Sequence, residues 1–404
     1  MELGHFLVLF AVLLISARVL GELARQVGIP AVLGELLAGV LLGPSLFNLI
    51  QDNEIWNILA EIGVILLLFE VGIESDFKRL TQTGQKPYWV ATVGFFTPLL
   101  LAYPFAHFFF HLSLLSSLFI AGTLTATSIG ITVRVLSDLK QRRSHEAQVV
   151  IGAAVLDDIL GVLLLALLYD FGVRQSLNLK STLIMALSIV LFLILTPIIA
   201  KILLNAIDRF DLRQDSPGLL LTLTFGLILF CSAIANQIGA PLILGGFAAG
   251  IAASRQFGNR HLRPNPALSE RIEHQIKPVV QLYTPIFFVT VGASLNLHTI
   301  PWHSTFIWML GLGLLAIAFL GKFVSGWVIK ESRQSRLIIG TSMIPRGEVG
   351  LIFAKLGLLC AALNATEYAA LILVVSLTTF LPPFLLKRLY AGSKKSSTRS
   401  NQGV

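Results

Sequence analysis

Two adjacent carboxylates, Asp157 and Asp158, stand in an otherwise apolar run, Val149–Leu168, VVIGAAVLDDILGVLLLALL. Carboxylate oxygens bind protons and hard cations alike, and two neighbouring acids titrate as one coupled unit. The 20 residues of the run are what a helix needs to cross the hydrocarbon of a bilayer. At about 1.5 Å per residue, Asp157 lies roughly 12 Å from the Val149 end, near the midplane of a core ~30 Å thick. An ionised side chain at that depth costs roughly 2.5–3.5 kcal/mol on insertion scales, so such residues mark ion paths and proton relays. The competing reading is a structural pair that pins a neighbouring helix.

Lys322 interrupts a second apolar run, LGLGLLAIAFLGKFVSGWVI. Counted from Ile329 it lies about 10 Å in, close to the depth of Asp157 counted from the Val149 end. Opposite charges at one depth in an apolar slab are expected to pair, since each alone is expensive. The alternative is that Lys322 snorkels to the interface. Arg346 and Glu348 stand in IPRGEVG, where a positive charge near carbonyl ends and a negative one near amide ends would offset half-helix dipoles.

Elements that position such charges are interrupted helices, whose half-helix ends hold ions at membrane depth. In TLTATSIGITV the stretch Thr123–Ser128 is hydroxyl-rich and is followed by Gly130. In GTSMIPRGEVG a proline stands between glycines, from Gly340 to Gly347. Backbone groups freed there need partners from protein or from a wet cavity. Thr125, Thr127, Ser128 and Ser342 are the candidate lining of that site. The bland alternative is a kinked, continuous helix whose hydroxyls return to their own carbonyls.

The 404-residue chain is 55% hydrophobic and only 13% charged, with mean hydropathy +0.80. That describes a polytopic membrane protein. A net charge of +8 would suggest nucleic acid in a soluble chain, but here the basic residues fall in loops, so no nucleic-acid partner is expected. Cys231 and Cys360 both lie in apolar segments and read as small buried hydrophobes. No P-loop, nucleophile elbow or His–Cys–acid spacing occurs. Neither a cofactor, nor ATP-driven pumping, nor enzyme chemistry is expected. The metal ligands foreseen are Asp158 and Asp157, toward a transported cation.

Thirteen spans are expected, near 4–22, 30–50, 56–73, 87–110, 115–137, 147–169, 181–204, 217–236, 240–255, 276–295, 303–329, 336–360 and 366–390. Basic residues concentrate in every second loop, as in Lys78, Arg79 and Lys86 or Arg260, Arg263 and Arg271. Of the 30 Lys and Arg, only Arg174 and Lys180 fall in loops of the opposite side, and Lys322, Arg346 and Lys355 fall inside spans. The positive-inside rule then places the N-terminus outside and the C-terminus in the cytoplasm.

The chain also echoes itself. GELLAGVLLGPS of span two matches LGGFAAGIAAS of span nine, and LLLFEVGIESD of span three matches PIFFVTVGASLN of span ten. Thr127-Ser128 of span five correspond to Thr341-Ser342 of span twelve. Each partner lies seven spans later, an odd number, so the copies would be inverted repeats, the architecture of secondary transporters.

Together these segments resemble the monovalent cation:proton antiporters of family 2, most closely the NapA-type sodium/proton antiporters. The residues that carry the resemblance are GELLAGVLLGPS, LLLFEVGIESD, ATSIGITVRVL, Asp157-Asp158, PIFFVTVGASLNL, Lys322 and IPRGEVGLI. The fold it implies is an all-α polytopic membrane protein of 13 transmembrane helices: two six-helix inverted repeats joined by a linker helix, with two crossing discontinuous helices in the core. The domains implied are dimerisation-scaffold helices 1-3 (residues 1-75), core helices 4-6 (76-172), linker helix 7 (173-210), scaffold helices 8-10 (211-297), core helices 11-13 (298-391) and a short cytoplasmic tail (392-404). The resemblance further implies a homodimer, Asp158 as the ion-carrying carboxylate, and Asp157 with Lys322 as its neighbouring pair.

The function expected is exchange of a monovalent cation, Na⁺ or Li⁺, for protons by alternating access. It would be electrogenic, and would operate in a prokaryotic plasma membrane in pH homeostasis. Cation ligands would come from Asp158, hydroxyls such as Thr127 or Ser128, freed backbone carbonyls and water. A K⁺/H⁺ antiporter, or a cation channel on the same scaffold, are the alternatives.

Overall fold

A computed structural model describes residues 3–51, 53–74, 83–173, 179–214, 218–255 and 266–400. Lys78, Arg79, Arg174, Arg260 and Arg263 of the basic-loop pattern lie outside the described residues.

Apolar runs with polar breaks dictate helices throughout. In order they are α1 (Leu3–Gln26), α2 (Ala31–Leu42), α3 (Glu54–Glu74), α4 (Lys86–Pro104, continued by a π-helical turn over Phe105–Phe109), α5 (Leu114–Thr123) and α6 (Ile129–Asp138). There follow α7 (His145–Val173), α8 (Leu179–Gln214), α9 (Leu219–Gln237), α10 (Leu242–Ala253), α11 (Pro266–Ser294), α12 (Thr305–Phe323), α13 (Arg333–Ser342), α14 (Glu348–Leu359) and α15 (Ala365–Ser400). Among the described residues, nine helices are long and apolar enough to cross a membrane. The other expected spans fall on shorter elements: α2, α10, and the pairs α5/α6 and α13/α14.

Two boundaries differ from expectation for local reasons. Residues 30–50 do not form one continuous helix, because Gly43 precedes Pro44. A residue before proline is pushed to extended backbone, and Gly43 ends α2 at ψ −172°. Conversely α11 starts ten residues before the expected 276, at Pro266. Proline is tolerated at a helix start because its missing N–H would be unpaired there anyway. The polar turns that follow are held by ion pairs, Arg271–Asp208 at 2.8 Å and Arg255–Glu273 at 3.2 Å.

The chain forms two compact units. The first comprises residues 1–51, 85–178 and 291–404, and contains α1, α2, α4–α7 and α12–α15. Its core is a cluster drawn from α4, α5, α7, α12, α14 and α15, around Phe119, Leu168, Leu314, Phe353 and Leu371. The second comprises 52–84 and 179–290, packed about Phe69, Leu204, Ile228, Ala249 and Ile276. Within it α3 and α10 approach backbone to backbone. A Cβ on Gly250 would sit 2.3 Å from the Phe69 carbonyl oxygen, the small-residue contact by which membrane helices associate without a hydrophobic driving force.

Candidate ion-binding site

Every residue of the site belongs to the first unit. The two interrupted segments are true breaks. α5 stops at Thr123, and α6 starts at Ile129 with Ser128 as its N-cap, accepting from the Ile131 N–H. α13 stops at Ser342 and α14 starts at Glu348. A continuous kinked helix therefore occurs in neither place. Thr123 and Thr125 do return their hydroxyls to carbonyls of their own helix, at Phe119 (2.9 Å) and Gly122 (2.7 Å). Thr127 does not.

The breaks lie against each other and bond across. Ser128 N–H donates to the Pro345 carbonyl at 2.9 Å, Thr127 Oγ1 to the Met343 carbonyl at 3.1 Å, and Thr132 Oγ1 to the Ser342 carbonyl at 2.9 Å. The approach depends on Gly347, where a Cβ would meet Ser128 Oγ at 2.6 Å. Ser342 is buried, and its hydroxyl has no hydrogen-bond partner among the described residues.

On α7, Asp157 and Asp158 are both buried, at 0% and 1% exposure. Lys322 Nζ, in the last turn of α12, donates to both Asp157 oxygens, at 2.7 and 3.0 Å. Lys322 is 0% exposed, so it pairs and does not snorkel. The Thr127 N–H donates to Asp157 Oδ2 at 2.8 Å. Asp157 thus sits at the amide end of α6, where backbone N–H groups and the helix dipole favour an anion. One oxygen pair serves a lysine and a helix start together. Asp158 is the next residue, within electrostatic reach of Lys322.

Arg346 takes the opposite ends. Fully buried, it donates from Nη2 to the carbonyls of Leu124 (2.8 Å) and Ala318 (3.3 Å), and from Nη1 to that of Ile344. Leu124 caps the C-terminus of α5, and Ile344 follows that of α13. One guanidinium fork therefore serves both half-helix carbonyl ends, a geometry a lysine lacks. Glu348 opens α14 at the amide end; its side chain lies outside the described residues.

Sequence reasoning did not single out Thr132 or Thr379. Thr379 Oγ1 on α15 lies 2.5 Å from the Arg346 carbonyl and 2.7 Å from its own Val375 carbonyl. The adjacent hydroxyls Thr378-Thr379 in an apolar span were the available signal. A third omission is the pairing of Arg134 on α6 with Glu35 on α2, at 2.7 Å.

Interrupted half-helices facing a buried acid pair are transporter architecture, and similarity agrees. The pattern of the family described as "Sodium/hydrogen exchanger, transmembrane" matches residues 8–391. The chain belongs to that family. It is a multi-span membrane antiporter, and its family is one of transporters, not an enzyme class. Among sodium/hydrogen exchangers and related antiporters, it is 32% identical to the high-affinity Na⁺/H⁺ antiporter NhaS3 of Synechocystis sp., over 97% of this chain and 91% of that protein. It is 30% identical to the Na⁺/H⁺-K⁺ antiporter GerN of Bacillus cereus, over 98% and 99%. The fold matches that of the sodium proton antiporter MjNhaP1 of Methanocaldococcus jannaschii with a TM-score of 0.69 and 20% identity, over 97% and 98% of the two chains.

Proposed function

We propose that this exchanger moves Na⁺ or Li⁺ against protons electrogenically, with Asp158 as the ion-carrying carboxylate and Asp157–Lys322 as the pair that adds a second proton. The observation that carries this reading is the Lys322–Asp157 bond at 2.7 Å beside Asp158. In the proton-loaded state Asp158 holds one proton, and Lys322 holds another as the ammonium bound to Asp157. In the cation-loaded state both carboxylates are ionised, Lys322 has released its proton, and Na⁺ occupies the oxygens. Two protons then exchange for one Na⁺, so one net charge crosses per cycle. A potential of 100 mV biases each such charge by about 2.3 kcal/mol.

Thirteen spans with the N-terminus outside and the C-terminus cytoplasmic, inverted repeats, the scaffold and core division, a homodimer and a prokaryotic plasma membrane complete the proposal. The shared plan of α5/α6 and α13/α14, each a serine-capped half-helix followed by a break and a second half, supports the repeats. K⁺ as a further substrate is favoured by the likeness to GerN, named as a Na⁺/H⁺-K⁺ antiporter. The test is cation-driven proton flux in proteoliposomes with Na⁺, Li⁺ and K⁺ compared, at potentials clamped by potassium and valinomycin for the sodium and lithium arms. Uphill proton movement driven by a cation gradient marks an antiporter, whereas a channel gives none. A flux indifferent to the potential would refute the electrogenic reading.

A further inference from the structure

Five consecutive carbonyls of the second break each face a donor. The Ser342 carbonyl takes Thr132 Oγ1, that of Met343 takes Thr127 Oγ1, and that of Ile344 takes Arg346 Nη1. The Pro345 carbonyl takes Ser128 N–H, and that of Arg346 lies 2.5 Å from Thr379 Oγ1. Helix ends leave their last carbonyls without intrahelical partners, and nothing in helix geometry requires each to be met in turn by a different group. The middle of this run holds Thr127 and Ser128, two of the hydroxyl residues of the ion site. Its two ends are held by Thr132 from α6 and Thr379 from α15.

We infer that Thr132 and Thr379 are positioning residues: their hydroxyls pin the two ends of the 342–346 carbonyl run, so that it serves as the template on which Thr127 and Ser128 are held toward the cation. This rests on the exchange reading above only in taking Na⁺ as the ion bound. Thr132 stands four residues after Ser128 on the same face of α6, so one short, stiff half-helix presents both its cap and its pin to the run. Thr379 acts from an element that carries no charged group of the site. Its hydroxyl proton is shared with the Val375 carbonyl at 2.7 Å, and a valine there loses the bond to Arg346 while keeping the shape of the side chain. With either pin gone the run slides, and the cation loses correctly placed oxygens. Neither substitution removes a side chain of the acid pair or Lys322, although the Thr127 N–H also reaches Asp157.

The experiment uses full-length protein carrying Thr132→Val, Thr132→Ser, Thr379→Val or Thr379→Ser. Na⁺ affinity is read twice: from the Na⁺ dependence of thermal stability in detergent, which reports binding without transport, and from the half-saturating Na⁺ concentration of flux in liposomes. Each valine variant is expected to weaken apparent Na⁺ affinity about tenfold, within the range for losing one buried hydrogen bond. Maximal rate should change less than affinity, and each serine variant should restore it. A general loss of packing would instead lower stability equally with and without Na⁺. Valine variants that bind Na⁺ like the wild type would overturn the inference, as would serine variants that fail along with them. Should one valine variant not fold, the pin on the other helix gives the same reading independently. A wild type that binds Na⁺ without exchanging it would sink the transport reading and leave the pins testable by the thermal measurement.

Discussion

Asp157 and Asp158 are neighbours in sequence: Asp157 is held by Lys322 and an amide end, and the proposal assigns the ion to Asp158. Asp158→Asn is therefore expected to abolish cation-coupled proton flux while the protein still folds, because an amide neither releases a proton nor offers a full charge. Robust exchange by that variant in liposomes would reassign the site. Asp157→Asn alone strands a fully buried lysine, and removing one partner of a buried pair costs about 3–5 kcal/mol; a lowered melting temperature reads this. Asp157→Asn with Lys322→Gln should regain stability and leave one carboxylate exchanging one for one, with flux insensitive to membrane potential. At this scale the charges were legible, since hydropathy and depth alone bring Asp157 and Lys322 to one level. Thr132 and Thr379 were not. A hydroxyl in an apolar helix has its own i−4 carbonyl within reach, and sequence does not show which one reaches across instead.

The half-helix α6 is held at both ends. Its amide end bears on Asp157, and its far end is tied to α2. There Arg134 pairs with Glu35 at 2.7 Å, while Asp138 accepts from the Val32 N–H at 3.3 Å in the first turn of α2. Arg134→Ala leaves a carboxylate that is 2% exposed without its cation, and an expected loss of about 3–5 kcal/mol follows. Replacing both members by leucine should recover most of it, as denaturation with a graded detergent or heat would read. No recovery would mean that the pair contributes more than mutual compensation. The breaks themselves were legible because glycine, proline and clustered hydroxyls mark where helical hydrogen bonding stops. The α2–α6 tie was not. Arg134 lies near the end of its element, and a terminal arginine looks alike whether it faces solvent or a buried acid 99 residues away in the chain.

Across the whole molecule, distant segments are joined at a charged cluster outside the apolar spans. Glu331 accepts from Lys86 Nζ at 2.6 Å and lies 2.9 Å from His145 Nε2, so the starts of α4 and α7 meet the turn before α13. The hydrogen bond from Lys86, and that with His145, hold the Glu331 carboxyl below its ordinary value of 4.5. A depressed acid stabilises the folded state in full above its unfolded value, and the contribution is lost as pH falls through the folded one. Melting temperature should thus decline on acidification below about 4.5, and Glu331→Gln should flatten that part of the decline; an unchanged acid limb would remove the cluster from the account. Orientation is a second prediction at this scale. Cysteines placed at Asn53 and Asn364 should react with impermeant reagents from outside, and one at Ser396 only from inside; labelling of all three from one face would refute the span count. Composition and loop charge made the membrane setting legible. The grouping of helices into two units was not, because which apolar faces meet depends on contacts far apart in sequence.

The bond between Lys322 and Asp157 also has a history in time. The two residues are 165 positions apart, and at roughly 5–20 residues per second a ribosome delivers the lysine roughly 8–33 s after the acid. Throughout that interval the nascent chain holds a half-made ion pair in or beside the bilayer, neutralised only by a proton or by water. Chains that stall before α12 emerges keep Asp157 without its lysine, whereas completed chains bury the pair.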